Sequence, residues 1–497
     1  MTIALTILNL VAVLAVGWVF TWKVAPRLVV LAIRAVAALA CVGGAAFAFG
    51  GAPRMLRRAG NAWRWRPKLT PVTTKRLIRF RRIKRGYWSF LIITTAFGTS
   101  LFLELAVNSR PLVIHYEGNT AYPTVAEWLD AWVPFVRFPA FLRAGDFGQA
   151  GDGPVDIPAF LRRSRDPAGF HREVAQKRAD VAKERAAWSQ EHPAPPADAS
   201  KGAKATYEAR LKSAERGFAR REAEADELAK SLDPFEAGRA WCWMPVYPHG
   251  PGDLRTDLAT TPPDAPSFAD SLPFGTDLSG RDVLPLMLYG FRISLGFALV
   301  VWVLGYLVGI TIGAIQGYFG GWRDILSQRF VEIWSSIPFL FVIMIIVSMV
   351  PASFLLLVVL LVTLQAWIGI TYYVRGEYLR EKAKDYVQAA IGSGVGDGKI
   401  MLKHIFPNAL VPIITLGPFS IVGYIDSLVG LDFLGFGLPP GTPSWGGILR
   451  QGLENVRFHP HLVIVPSVAL ALTLFCVVMV GEAIREAFDP KVFSRLR

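Results

Sequence analysis

The sequence predicts an all-α polytopic membrane protein. Of its 497 residues, 52% are hydrophobic, and the mean hydropathy is +0.36. Soluble globular domains are rarely this apolar. Charged residues make up only 19% of the chain and cluster between long apolar stretches, which is the distribution expected for the loops of a membrane protein.

Eight apolar stretches approach the length of about 20 residues that a membrane-spanning helix needs. They lie at roughly 3–22, 28–50, 87–107, 287–316, 329–350, 353–374, 409–430 and 460–484. The first stretch has no basic residue before it, and no small-x-small cleavage site follows it. We therefore expect an uncleaved membrane helix there and not a signal peptide.

The distribution of Lys and Arg predicts the orientation of the chain. Residues 54–85 contain thirteen Lys or Arg and no Asp or Glu, and basic loops of this length remain in the cytoplasm. Alternation of the spans then predicts an N-terminal transmembrane hairpin over 1–52, a basic cytoplasmic loop over 53–86, a first core helix over 87–107, an external insertion over 108–286, and a helical core over 287–490 with a cytoplasmic loop at 375–408. The net charge of +14 fits these loops, and because no nucleic-acid-binding motif is present we expect no nucleic-acid partner.

The end of the basic loop, TKRLIRFRRIKRGYW, places Leu77, Ile78 and Phe80 among Arg and Lys. This pattern predicts a helix that lies on the cytoplasmic leaflet and contacts membrane lipid through these three side chains. A solvated basic linker is the alternative interpretation.

Within the external insertion, residues 171–231 are rich in helix-forming residues of mixed charge. The prolines of HPAPPADAS interrupt the pattern, so we predict a helical hairpin over about 171–191 and 203–231. The hairpin is interpreted either as a docking site for an external partner or as a spacer.

The stretch AAIGSGVGDGKI, residues 389–400, has the glycines and lysine of a phosphate-binding loop. A Walker A loop also requires an earlier Gly and a hydroxyl residue after the Lys, but those positions hold Ser393 and Ile400. The G-x-G-x-x-G pattern of dinucleotide sites fails as well. We predict instead a polar cytoplasmic connection with a short helix over 382–390, a glycine turn, and a second helix from Gly398. Such a connection suits insertion into a soluble partner, and an ordinary loop is the alternative.

No sequence motif indicates catalysis or metal binding. Cys41, Cys242 and Cys476 have no disulfide or metal-site spacing. No nucleophile motif surrounds the external histidines, which are His115, His171, His192, His249, His459 and His461. A membrane-anchored hydrolase is therefore disfavoured. A membrane receptor with an external domain is also disfavoured, because it would need a larger cytoplasmic output domain than these loops provide.

Three segments together resemble the permease subunits of oligopeptide and dipeptide ABC importers. DYVQAAIGSGVGDGKIMLKHIFPNA resembles their E-A-A-x-x-x-G loop, which we name the coupling loop. FGTDLSGRDVLPLMLYGFRISL resembles the start of their second core span, named here the G-T-D motif. LVGLDFLGFGLPPGTPSWGGIL resembles a third family segment, named here the S-W-G motif. The wording LDFLGFGLP and GEAIREAFDP looks most like the Yej-type permeases of this family.

The resemblance implies the ABC importer type I permease fold, with a six-helix core, two additional N-terminal spans and a periplasmic helical insertion. It implies that the coupling loop docks into an ATPase subunit through Asp385, Tyr386, Gln388, Ala389, Ala390, Gly394, His404 and Pro407. The matching residues of the G-T-D motif are Gly275, Thr276, Asp277, Gly280, Arg281, Asp282, Tyr289, Gly290, Arg292 and Ser294. The chain departs from the family pattern at three positions. Gln388 replaces an acidic residue of the family, and Pro285 and Leu286 replace a small residue and an Arg.

The function implied by the resemblance is alternating access in an ATP-driven peptide importer of the bacterial inner membrane. The implied partners are a second, homologous permease subunit, ABC ATPase subunits and a periplasmic peptide-binding protein. ATP and Mg²⁺ would bind the ATPase subunits, so this chain is expected to bind no cofactor and to catalyse no reaction. A non-peptide cargo such as a nickel complex stays open, because the choice of cargo rests largely with the binding protein.

Overall fold

The computed structural model describes residues 71–132, 143–149, 155–195, 201–256, 258 and 261–488. The predicted N-terminal hairpin over 1–52 and the first part of the basic loop lie outside the described residues. The described chain divides into a core unit, built mainly from 71–103 and 249–488, and an insertion unit, built mainly from 104–130 and 143–248.

Two helices of the core unit precede the insertion. Helix α1 is Pro71–Arg82 and α2 is Lys84–Ser100, and the short helix α3, Leu103–Ala106, follows them. Phe80 of α1 is only 4% exposed, because its ring packs against the small side chains of Ala483 and Ala487. The expectation that Phe80 enters the acyl region of the bilayer is therefore wrong.

The insertion unit combines a small sheet with helices. Its elements are β1 (Val113–Tyr116), β2 (Asn119–Ala121), α4 (Pro123–Trp132), α5 (Ile157–Arg165), α6 (Pro167–Glu191), α7 (Lys201–Lys230), α8 (Asp233–Glu236) and β3 (Ala240–Trp243). The strands form an antiparallel sheet in the order β2-β1-β3, and Ile114, Phe147 and Phe160 are buried together beside it. The sequence did not predict this sheet, because strands of three or four residues leave little periodic pattern.

Helices α6 and α7 occupy the region of the predicted hairpin. Arg178 pairs with Asp226 at 2.5 Å and Arg185 pairs with Glu222 at 3.1 Å. The later residue of α6, Arg185, pairs with the earlier residue of α7, Glu222, so the two helices run antiparallel. Exposed ion pairs of this kind add little stability, so they chiefly fix how the two helices align.

The remaining elements of the core unit are all helical. They are α9 (Val283–Phe319), α10 (Gly321–Ser335), α11 (Phe339–Met349), α12 (Phe354–Leu361), α13 (Ile368–Lys382), α14 (Asp385–Gly392), α15 (Asp397–Lys399), α16 (Phe406–Leu434), α17 (Trp445–Glu454) and α18 (His461–Phe488). Two π-helical segments join α12 to α13 and α15 to α16; they are Val362–Ala366 and Ile400–Ile405.

Among the described residues, three helical stretches are long and apolar enough to cross a membrane. They are Val283–Phe319, Asp397–Leu434 and His461–Phe488, and the number rises to five if each of two bent helix pairs is one span. The pair α10–α11 bends by 63° and the pair α12–α13 by 42°. The continuous span predicted over 329–350 is thus broken before Pro338, which cannot donate a backbone hydrogen bond to the preceding turn.

A row of glycines lets α9 pack closely on α13. Gly305, Gly309, Gly313 and Gly317 recur at every fourth position and so lie on one face of α9. A Cβ atom added at Gly313 would lie 2.6 Å from the carbonyl oxygen of Thr371, well inside van der Waals contact. Small residues in such a row allow close backbone approach between membrane helices, and this pair forms the rigid centre from which the coupling loop extends.

Candidate functional site

The coupling loop begins where α13 ends and consists of α14, a tight turn and α15. The Gly394 N–H donates to Ile391 O at 3.0 Å, and the Val395 N–H donates to Ala390 O at 3.1 Å. These two bonds form a Schellman motif, which requires a left-handed residue after the helix. Gly394 has that conformation, with φ of +73°. Gly394 therefore forms the glycine turn that the sequence predicts between the two short helices.

Helix α14 has one exposed face and one face packed on the core unit. Val387 is completely buried, and Ala390 packs against the same apolar cluster. Four of its exposed residues recur at helical spacing; they are Asp385, Gln388, Ala389 and Gly392, which we name the outer face of α14. Of the two alanines in the family motif, Ala389 is therefore the one available to a partner.

The start of α14 is held by a hydrogen-bond cluster around Tyr386. The Tyr386 hydroxyl donates to Glu381 Oε2 at 2.7 Å and accepts from Asn408 Nδ2 at 2.9 Å. The carbonyl oxygen of His404 lies 3.3 Å from the same hydroxyl. Burial and the hydrogen bond to the Glu381 carboxylate raise the pKa of Tyr386 above its usual value, so the hydroxyl remains a donor. The cluster links α14 to α13, the π-helical segment and α16.

A second cluster ties the loop to the C-terminal end of α9. The Tyr318 hydroxyl donates to Asp397 Oδ1 at 2.6 Å, and the Lys382 ammonium donates to the carbonyl oxygen of Tyr318 at 2.5 Å. Gln388 Nε2 in turn donates to the carbonyl oxygen of Lys382 at 2.7 Å. A carboxylate at position 388 could not donate this bond, so the departure from the family's acidic residue has a structural consequence inside the loop.

Pro407 is the second residue of α16 and follows the π-helical segment Ile400–Ile405 directly. Residues Asp397–Leu434 form one helical stretch through the π-helical segment, so the loop leads directly into a membrane helix. Sequence reasoning did not single out Tyr318, Glu381, Asp397 or Asn408. Glu381, an acidic residue between Arg380 and Lys382, was a sequence signal that could have pointed to this cluster.

The G-T-D motif forms a compact, hydrogen-bonded loop directly before α9. Asp277 is fully buried, and its carboxylate accepts from Arg281 Nε at 2.9 Å and from the Ser279 and Arg281 backbone N–H groups at 2.9 and 2.8 Å. Asp282 caps α9, because its side chain accepts from Leu284 N at 2.9 Å. Thr276 donates to Asp264 Oδ2 at 3.1 Å. These polar residues are satisfied within the chain, so their role is to fix where α9 begins.

Two glycines of the G-T-D motif adopt left-handed conformations that favour glycine. Gly275 has φ of +76° and Gly280 has φ of +80°. An added Cβ at Gly275 would also lie 2.4 Å from the carbonyl oxygen of Asp264. Conformation and space therefore both require glycine at Gly275.

The helical part of the G-T-D motif meets the S-W-G motif. Trp445 is 2% exposed, and its indole N–H donates to Met287 O at 3.0 Å. A Cβ at Gly290 would lie 2.8 Å from the Trp445 ring. Arg292 stacks over the Tyr289 ring at 4.8 Å and donates to Ser100 O at 3.2 Å, which ties α9 to α2.

The remaining residues of the G-T-D motif and the two positions that depart from it lie in α9. Ser294, Pro285 and Leu286 are all buried there. The S-W-G motif contains a buried acidic residue, Asp432. Asp432 accepts from Leu438 N at 2.6 Å and from the Ser444 hydroxyl. Both motifs therefore stabilise helix ends of the core unit: the G-T-D motif the start of α9, and the S-W-G motif the end of α16.

A cavity of about 460 Å³ opens beside the π-helical segment Val362–Ala366. Polar side chains line part of it, among them Tyr306, Gln365, Tyr373 and Ser420. The Tyr306 and Ser420 hydroxyls lie 2.8 Å apart, whereas the buried Gln365 Oε1 has no hydrogen-bond partner among the described residues. The cavity therefore combines an apolar wall with hydrogen-bonding groups, which is the usual composition of a binding pocket.

Bent apolar helices, a partly polar cavity beside them and an anchored loop between two long helices are features of a membrane transport subunit. A family model for the "Binding-protein-dependent transport system inner membrane component" matches residues 309–494. The chain is 34% identical over 433 residues to the "Peptidoglycan transport system permease protein YejE" of Agrobacterium fabrum, an alignment that covers 86% of this chain and 95% of that protein.

Two further relatives extend the comparison. The "Inner membrane ABC transporter permease protein YejE" of Escherichia coli is 33% identical over 426 residues, covering 85% of this chain and 98% of that protein. The "Oligopeptide transport system permease protein OppC" of Haemophilus influenzae is 39% identical over 218 residues, covering 44% of this chain and 70% of that protein. The chain belongs to the inner-membrane permease components of binding-protein-dependent transport systems.

Proposed function

We propose that this permease forms half of the membrane pathway of an ATP-driven importer for peptides or peptide-like compounds. The relatives are named for transport of peptidoglycan and oligopeptides, and peptide bonds are common to both classes of cargo. Cargo would reach the pathway on a periplasmic binding protein, and a second, homologous permease would complete the pathway.

The anchored coupling loop is the observation that carries this proposal. The outer face of α14 is exposed, while Tyr386 and Asp397 bind the loop to α9, α13 and α16. A force applied to the outer face would therefore reach three core helices and not be absorbed by a flexible linker. We infer that ABC ATPase subunits, which hold ATP and Mg²⁺, dock here, and that this chain is a non-catalytic subunit.

The cavity beside Val362–Ala366 is the candidate path for the cargo. Peptide groups carry one donor and one acceptor each, and the hydroxyls of Tyr306, Tyr373 and Ser420 together with the Gln365 amide offer both kinds of partner. Apolar residues of the bent pair α10–α11, such as Phe330, are exposed in the single chain. Contact with the second permease would cover them.

The test is Ala389→Glu in the complete importer, reconstituted in liposomes. The substitution adds volume and charge to the outer face of α14 without touching the chain's own core, so the expected result is loss of ATPase co-purification and of cargo-stimulated ATP hydrolysis. Ala209→Glu on the exposed side of α7 is the matched control and should behave as wild type. Wild-type ATPase retention by the Ala389 variant would overturn the docking assignment.

The cargo class needs a separate measurement. Uptake of radiolabelled oligopeptides by the same liposomes is expected, with the binding protein present. Uptake of a nickel complex without uptake of any peptide would assign the alternative cargo and leave the docking assignment untouched.

A further inference from the structure

Helix α1 presents a continuous basic face to its surroundings. Lys75, Ile78, Arg79 and Arg82 are spaced at i, i+3, i+4 and i+7, which puts them on one side of the helix. Lys75 and Arg82 are exposed, and Ile78 is 50% exposed between the basic residues. We name these four residues the basic face of α1.

The opposite side of α1 is occupied by the protein itself. Phe80 is buried against α18, and the guanidinium of Arg76 lies 5.0 Å from the centre of the Phe488 ring. Because these contacts hold the helix on the core unit, its rotation is fixed. Among the described residues, the basic face therefore points away from the core.

The charges of the basic face are not neutralised within the described chain. No acidic side chain among the described residues pairs with Lys75, Arg79 or Arg82. The nearby acids of α18 are engaged elsewhere, since Glu486 pairs with Arg85 at 3.6 Å and Glu482 with Arg485 at 3.9 Å. Within the described part of the chain, three positive charges around an exposed isoleucine thus lack a counter-charge.

The position of α2 indicates what supplies that counter-charge. Only Ile83 separates the two helices, and α2 carries Trp88 at 58% exposure and Ile92 at 57% exposure. Tryptophan concentrates at the boundary between headgroups and acyl chains. Since Trp88 is six residues after Arg82, the basic face lies at the level of the lipid headgroups, and exposed apolar side chains lie on the bilayer side of it.

We propose that the basic face of α1 binds the headgroup of an anionic phospholipid in the cytoplasmic leaflet. Lys and Arg near an anionic membrane surface attract acidic lipid, each by about fivefold in binding at moderate salt. Ile78 would contact the first acyl carbons while Lys75, Arg79 and Arg82 contact the phosphate. The site lies outside the coupling loop and the cavity. Lipid binding there is therefore a property of the chain separate from the proposed transport function.

The test measures lipid binding by the purified full chain in a neutral detergent. Fluorescent phosphatidylglycerol and phosphatidylcholine with identical acyl chains are titrated separately. Wild type should prefer phosphatidylglycerol, and the preference should weaken as salt is added. The variant Lys75→Gln/Arg79→Gln/Arg82→Gln should bind phosphatidylglycerol roughly a hundredfold more weakly and bind phosphatidylcholine as wild type does.

Two control variants make the result specific. Lys183→Gln/Lys212→Gln/Arg216→Gln removes the same charge from exposed positions of α6 and α7 and should keep the wild-type preference. Lys75→Arg/Arg79→Lys/Arg82→Lys preserves the charge of the basic face and should also keep it. The proposal is overturned if the variant Lys75→Gln/Arg79→Gln/Arg82→Gln retains the preference for phosphatidylglycerol, or if either control variant loses that preference.

Protein docking is the competing occupant of this surface. If the triple Gln variant keeps its lipid preference and instead loses co-purifying ATPase subunits, the basic face is a protein interface and the proposal is wrong. The lipid titration uses neither ATP nor cargo, so its outcome is independent of the transport function proposed above.

Discussion

Substitution of Gly394 by Ala tests the turn of the coupling loop directly. Gly394 has φ of +73°, a conformation that costs an L-residue about 1–2 kcal/mol. A Cβ atom added there would meet nothing within 4 Å. The whole penalty is therefore one of backbone conformation, with no clash to relieve.

The expected size of the effect follows from this penalty. If the free loop relaxes and the docked loop must keep the turn, the cost falls on docking and weakens ATPase binding about fivefold to thirtyfold. Gly398→Ala is the matched control, since Gly398 lies in α15, also has an open Cβ position and has no positive φ. Alanine should favour the helix there by about 1 kcal/mol, so binding should be unchanged or tighter.

The assay is titration of ATPase subunits onto the reconstituted permease pair, with cargo-stimulated hydrolysis as a second readout. Gly394→Asn extends the series, because asparagine tolerates the left-handed region better than alanine and should recover part of the affinity. Equal affinities for Gly394→Ala and Gly398→Ala would refute the role assigned to the turn. So would a Gly394→Asn variant that binds more weakly than Gly394→Ala.

Three further predictions concern the anchors, the helix packing and nucleotide binding. Tyr386→Phe removes a hydrogen bond to Glu381, which is 2% exposed, and should cost about 1.5–3 kcal/mol locally; hydrogen exchange of the loop amides should accelerate, and unchanged exchange would contradict the anchor. Gly313→Val would force a side chain to within 2.6 Å of Thr371 O and should lower the thermal unfolding temperature in detergent, whereas Gly369→Val, with an open Cβ position, should not; similar temperatures for both would count against the close packing. The full chain without partners should show no saturable ATP binding at micromolar concentrations, and saturation would mean that the glycine stretch is a nucleotide site after all.

The sequence by itself determined the features that depend on local pattern. Long apolar runs allow little besides membrane helices, because lipid cannot satisfy exposed backbone groups. The turn at Gly394 was predictable for a similar reason, since a glycine after a short helix is the residue that most readily adopts positive φ.

Tertiary structure decided what depends on distant partners. Tyr318 and Asp397 are 79 positions apart and meet only because α9 packs along α13. The same packing partly buries Ala390 and leaves Ala389 exposed, a distinction that two adjacent alanines do not reveal. Phe80 was expected to contact lipid and instead packs against α18. An apolar side chain gains similar free energy from lipid and from protein, so composition predicts that it leaves water, and only the packing of neighbouring helices determines where it goes.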